Sequence, residues 1–331
     1  MARGVFTLSL DFELIWGELD LRGPEALREA CERERTDVFD RLLELLGQFE
    51  IEATWCVVGH LMLDSCAAAG GRTHPEIVRP QHAWHHGDWL RDDPASDESA
   101  SPTFYARSLL ERLLASPVPQ EVGCHSFSHV IYGDPGCSED AARTDLDACV
   151  RAARELGVTL RSFAFPRNRV GHLDVLREAG FTCFRGPEPT WHGGGGRGAL
   201  ARAGHIVDVL TAREAPLVEP RSVDGLIDIP ASMMYFPMHG VRRHLPVSRR
   251  VKRMVDGVRR AARDGGVFHL WFHPTNLVYE REAAFDGLRA TLSAVADARR
   301  DGSLEVLPMA RLAERVAHRE PGGKPPAYSP G

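Results

Sequence analysis

The stretch VFTLSLDFE, residues 5–13, carries the first decision about the fold. Its apolar run from Val5 to Leu10 reads as a buried β-strand, and the run ends in two acids, Asp11 and Glu13. No GxGxxG follows this strand, which removes the usual dinucleotide-binding architecture. Working outward, Pro24 to Phe49 contains a helix, with Val38, Leu42, Leu45 and Leu46 at helical spacing. Ala53 to Val58 is a second strand. Further strands are predicted at Glu121–Cys124, Ser162–Phe165, Phe181–Phe184, Leu226–Ile229, Val267–Phe272 and Leu304–Leu307. Helical periods fill the intervals, at Phe104–Ala115, Ala141–Leu156, Leu173–Ala179, Ser248–Arg263, Glu282–Arg300 and Met309–Val316. Such alternation argues for an α/β fold with a parallel sheet. Seven or eight units in this length suit a closed (β/α) barrel, with an open doubly wound sheet as the competitor.

The chain has 331 residues, 43% hydrophobic, with 40 basic against 46 acidic residues and a formal charge of −6. That mildly acidic balance speaks against nucleic acid or an anionic membrane as partner. Lys252 and Lys324 are the only lysines, so 38 of the 40 basic residues are Arg, which reads as compositional bias. No apolar run reaches the eighteen residues or so that a membrane span needs. No signal peptide is recognisable, because Asp11 and Glu13 interrupt the first apolar run. Seven scattered cysteines without a C-x-x-C pair form neither a disulfide framework nor a cysteine zinc site, and a cytoplasmic setting is expected. One catalytic barrel over residues 1–318 is expected, with an inserted loop or lid at 67–101 and a disordered Pro/Gly-rich tail at 319–331. The run Gly193–Gly196 reads as a flexible loop.

Four clusters carry chemistry. Asp11 and Glu13, two apart on a strand, point the same way, which is costly unless a cation or donor lies between them. In GCHSFSH, His125 and His129 are four apart and meet on one side of a helical turn, where they can share a metal. With a carboxylate from another strand end, the pair makes a three-ligand site with open positions for water. In FHLWFHP, His273 lies at a strand's C-terminal end, where barrel active sites gather. His269, deeper in that strand, reads as a hydrogen-bonded core histidine. In FAFPRN, a strand stops at Pro166 and presents Arg167, which can hold a carboxylate ionised, or else is an ordinary loop arginine.

LSLDFE, ATWCVVGHL, GCHSFSH, FAFPRN and LWFHP, in this order, resemble the motifs of the polysaccharide deacetylase family (NodB-homology, carbohydrate esterase 4). The match spans about Val5 to Val316, and HSFSH is its most specific element. The resemblance implies a distorted (β/α) barrel and one divalent metal, zinc first and other divalent transition metals second. By the same resemblance Asp11 is the catalytic base, Glu13, His125 and His129 are the metal ligands, and His273 is the catalytic acid. The two acids can exchange roles, since the family commonly shows adjacent aspartates. Arg167 would keep Asp11 ionised, although here it follows its proline instead of preceding it. Asp228 is a weak match for the residue that tunes the acid.

Asn168, Trp16, Trp271 and Trp84 are the candidate substrate contacts, with core filling the alternative for Trp16 and Trp271. His85 or His86 of the 67–101 insertion can reach the metal, or the segment is an irregular lid whose histidines bind nothing. The implied activity is metal-dependent hydrolysis of an amide C–N bond. N-deacetylation of an amino-sugar substrate (a small glycoside, nucleotide sugar or glycan intermediate) leads. Hydrolysis of small linear or cyclic amides of the ureide or imide type is the alternative. A silent sugar- or metal-binding protein comes last, since binding alone needs neither base nor acid.

Overall fold

A computed structural model describes residues 3–189, 211 and 213–318 of the chain. The Gly193–Gly196 run and the 319–331 tail lie outside the described residues. Strand β1 (Gly4–Phe12) is buried along its whole length. Phe6, Leu8, Leu10 and Phe12 are apolar on one face, and Thr7, Ser9 and Asp11 on the other are polar yet buried, which suits a central parallel strand covered on both sides. It pairs in parallel with β2 (Thr54–Val57) on one side and β11 (Val267–Phe272) on the other, while β12 (Leu304–Val306) joins its first residues. From β2 the sheet runs through β5 (Glu121–Cys124), β6 (Ser162–Ala164), β7 (Cys183–Gly186) and β9 (Leu226–Pro230) to β8 (Arg221–Val223). At its other end β10 (Met233–Met234) pairs with β11. A separate two-stranded hairpin, β3 (Ala68–Ala69) with β4 (Arg72–Thr73), lies in the 67–101 insertion.

Closure follows from the two ends of this path being nearly consecutive in the chain. Between β9 and β10, Ala231 N–H donates to the Gly186 carbonyl of β7, and Ser232 N–H donates to the His269 carbonyl of β11. One extended segment thus pairs with β7 through its first half and β11 through its second. The sheet curls into a distorted barrel, not an open sheet.

The helices cover it with the faces their periods require. Phe39, Leu42, Leu45 and Leu46 of the helix Phe39–Gln48 are all buried. The helix expected across Pro24–Phe49 is interrupted: Pro24–Arg33 is followed by a wider π-type turn, Glu34–Val38, before Phe39. That turn sends Glu34 inward, where its carboxylate accepts from the Thr275 hydroxyl. Among the described residues no helix is long and apolar enough to cross a membrane. Because the main strands are parallel, the ends of β1, β5, β6, β7 and β11 all open on one rim of the barrel.

Candidate active site

At that rim Asp11 faces Arg185, the third residue of β7. Arg185 Nη1 donates to Asp11 Oδ1 at 2.7 Å and Nη2 to Oδ2 at 2.6 Å, with both side chains 2% exposed or less. Arg185 is itself fixed. Its Nη1 also donates to Ser9 Oγ at 3.1 Å, Nη2 lies 3.4 Å from Asn168 Oδ1, and its guanidinium stacks 4.1 Å over the Trp271 ring. Beneath it, His269 Nδ1 donates to the Pro230 carbonyl, so its Nε2 accepts from Ser9 Oγ at 2.9 Å. Burial and the nearby Arg185 charge push His269 down to about 3. It is a neutral core histidine, as its depth in the strand suggested.

The loop after β5 brings His125 and His129 together by other means than a helical turn. Ser126 and His129 both adopt left-handed backbone, with φ of 63° and 60°. Asp145, from the helix Glu139–Glu155, accepts from the N–H groups of Phe127 at 2.8 Å and Ser128 at 3.3 Å. Ser126 Oγ accepts from Val130 N–H. The i, i+4 spacing was therefore read on the wrong local structure: a carboxylate-held loop, not a helix, converges the two rings.

His125 Nδ1 can only donate to the Ala164 carbonyl, 2.7 Å away, so an unprotonated Nε2 would aim a lone pair at Glu13. Glu13 Oε2 lies 3.2 Å from His125 Nε2 and 3.3 Å from His129 Nε2, yet it makes no hydrogen bond, nor does His129 Nδ1. Ligands held about 2.0–2.1 Å from a tetrahedral zinc ion lie about 3.3 Å apart. Two of the three donor separations match that length and the third is within 4.8 Å, so the group fits a divalent cation. His273 Nε2 stands 3.4 Å from Glu13 Oε1 and 3.8 Å from Asp11 Oδ2.

Electrostatics separates the two acids from ordinary buried carboxyls. Burial alone would raise Asp11, but Arg185, with help from His125 and His273, holds it below the usual carboxylate range. Burial is likewise outweighed at Glu13, where His273, His125 and His129 hold the carboxyl well down. Burial lowers His129 against the pull of Glu13.

The other expected residues lie elsewhere. Arg167 does not reach Asp11: it pairs with Asp20 and stacks 4.8 Å over Trp84. The reason is backbone direction, because Arg167 has a left-handed φ of 57° just past the strand and turns away to the rim. Sequence reading missed Arg185, whose only signal was a lone charge inside the apolar run Phe181–Phe184 and Gly186. Trp16 is no substrate contact. It is 3% exposed, donates to the Phe104 carbonyl and packs on Phe104 and His60, so the core-filling alternative holds. Trp271 is mostly buried and donates to Glu188 Oε1 at 2.8 Å. Trp84 is 39% exposed, with its indole N–H on Asp134. Neither His85 nor His86 joins the metal-competent groups; His82 bonds Asp134 and stacks on Trp84. Asp228 pairs with Arg221 and does not touch His273.

Among solved structures, the chain is similar to a candidate polysaccharide deacetylase from Mycobacterium smegmatis (TM-score 0.62, 14% identity, 100% of this chain and 96% of that one). A second candidate polysaccharide deacetylase, from Pseudomonas aeruginosa PAO1, gives a TM-score of 0.61 at 12% identity over 97% and 93% of the two chains. Puue allantoinase gives 0.60 at 12% identity over 97% and 92%. No family model and no curated protein matches the sequence. The fold is the one the two deacetylase candidates share, and the allantoinase shows that this fold accompanies more than one name.

Proposed function

We propose that this protein is a metal-dependent hydrolase of amide C–N bonds that removes an N-acetyl group from an amino-sugar-containing substrate. The observation that carries the reading is a base poised beside a metal-competent triad. Asp11 is clamped by Arg185, while its Oδ2 faces His273 across 3.8 Å and His125 across 4.0 Å. Glu13, His125 and His129 would hold the cation, zinc by the nature of the donors. Once bound, it supplies Lewis acidity toward water and the amide carbonyl.

The protein's own part is proton handling. Asp11, kept ionised by Arg185, accepts a proton from the attacking water as its oxygen bonds to the carbonyl carbon. His273 Nε2, the most open of the five side chains at 24% exposure, donates a proton to the amine nitrogen as the C–N bond breaks. The acyl group leaves as the carboxylic acid and the nitrogen as the neutral amine, with one proton gained by Asp11 and one lost by His273. Return of the Asp11 proton to His273 through solvent resets the site, so atoms and charges balance. A net charge of −6 supports a carbohydrate over a nucleic-acid partner. Small glycosides, nucleotide sugars and glycan intermediates are the substrates that fit.

A second reading, hydrolysis of small linear or cyclic amides, is favoured by the allantoinase likeness and by the depth of the site, where only His273 is appreciably exposed. The two part in one screen: N-acetylated amino sugars against ureides and cyclic imides, with released acetate measured for the first and ring opening for the second. Acetate release supports the deacetylase; turnover of ureides alone replaces it with the second reading; neither, with metal loaded, refutes both.

A further inference from the structure

A second group of donors stands behind the first, on residues that the catalytic reading does not use. His60 lies in the short helical turn Gly59–Met62 after β2; Cys66, His74 and Asp93 come from the segment beyond it. His60 Nε2 is 3.2 Å from Asp93 Oδ2, His74 Nε2 is 3.4 Å from the same oxygen, and Cys66 Sγ is 3.5 Å from it. Cys66 Sγ is 3.8 Å from His60 Nε2, and the two remaining separations are within 4.8 Å. In a tetrahedral zinc site the N and O ligands lie about 3.3 Å apart and a sulfur about 3.6 Å from a nitrogen. Four of the six edges sit close to those lengths.

The surrounding hydrogen bonds point the same way. His60 Nδ1 faces the Phe104 carbonyl at 3.1 Å and so must carry its proton there. Its Nε2 then aims into the group, and a second proton or a cation must separate it from the Asp93 carboxylate. His74 Nε2 is buried and has no hydrogen-bond partner despite its nearness to Asp93. The Tyr105 hydroxyl accepts from Ser96 N–H and lies 3.1 Å from Cys66 Sγ, placed to donate to a thiolate. Outer partners of this kind orient metal ligands. One thiolate and one carboxylate also neutralise a divalent charge, as a buried site requires. An ordinary polar cluster explains the Asp93 contacts but leaves the buried His74 Nε2 with only a 3.4 Å approach to Asp93 and no hydrogen bond.

We propose that His60, Cys66, His74 and Asp93 bind a structural zinc ion, with all four positions filled by protein and none left for substrate. Its role is mechanical. The site ties the 67–101 insertion to the barrel and backs the catalytic loop: the Phe127 ring packs 5.5 Å from the His60 ring and 4.9 Å from the His74 ring. Gly59 and His60 N–H donate to the Ser126 and Phe127 carbonyls of that loop.

Zinc content of the full-length protein, measured together with cobalt substitution, tests this separately from the catalytic reading. Wild type should hold two equivalents and His129→Ala one. Only the proposed site contains a thiolate, so the cobalt form of His129→Ala should keep a thiolate-to-cobalt charge-transfer band, and Cys66→Ser should lose both that band and one equivalent. Should Cys66→Ser not fold, wild type still decides. Cys66 is the one cysteine of seven that is not fully buried, so alkylation mapped by mass spectrometry should find it protected until a chelator is added. One equivalent in wild type without the band, or equal labelling of Cys66 with and without chelator, overturns the proposal.

Discussion

Arg185→Met isolates the clamp on Asp11. The substitution keeps much of the volume against Trp271 and removes both charge-assisted bonds, 2.7 and 2.6 Å long, from a carboxylate that is 2% exposed. Breaking one side of a buried pair costs about 3–5 kcal/mol, because the remaining charge stays buried without compensation. With an unfolding entropy near 2.1 cal/mol/K per residue, a chain of this size loses about 4–7 °C in Tm. The loss has a pH signature. In wild type the Asp11 carboxyl lies below its ordinary value, so the pair's contribution is present above about pH 4 and fades as pH falls through the folded value. In the variant burial is opposed only by the weaker pull of His125 and His273 and raises the carboxyl, so the gap between the two proteins should open as pH climbs from about 4. Thermal unfolding of the as-isolated proteins between pH 4 and 8 reads this directly. Adding Asp11→Asn to Arg185→Met should recover most of the loss and flatten its pH dependence. A cost below about 1 kcal/mol, or an equal cost at both ends of that range, would refute the clamp.

Three further outcomes follow from single contacts. An added Cβ at Gly17 would lie 2.0 Å from Glu13 Oε1, so Gly17→Ala should weaken metal binding about tenfold or more in chelator competition without altering a ligand. Unchanged affinity would mean that Glu13 is not held where the site needs it. Glu34, buried and pushed up to about 8 by desolvation, costs the fold up to about 5 kcal/mol by pH 8, since the unfolded chain ionises near 4.5 and the folded one does not. Glu34→Gln should thus raise Tm at pH 8 and change little at pH 4.5; a lower Tm at pH 8 contradicts the shift. In the pH–rate profile, Arg167→Ala should leave the acidic limb in place because Arg167 pairs with Asp20, whereas Arg185→Lys should move it upward.

Much of this was legible in the sequence because buried strands and amphipathic helices write their periods plainly. Glu121–Cys124 and Val267–Phe272 were read to the residue, and the order of motifs put Asp11, Glu13, His125, His129 and His273 on one rim. Contacts set by the return of the chain were not legible. Arg185 and Arg167 are both arginines beside strand ends, and only the left-handed turn at Arg167 sends one outward while the other meets Asp11. The His60, Cys66, His74 and Asp93 group was equally hidden. Its members are spaced 6, 8 and 19 residues apart, without a repeated pattern, and an irregular insertion brings them together.

The pairing of a base with a metal-competent triad is tested most directly by Asp11→Asn, with bound metal and turnover measured on the same sample. Metal content at the wild-type level with kcat/KM reduced by about 10²–10⁴ is the expected result, since Asp11 moves a proton and Glu13, His125 and His129 hold the cation. Full turnover in that variant, or loss of metal in step with loss of activity, would contradict it.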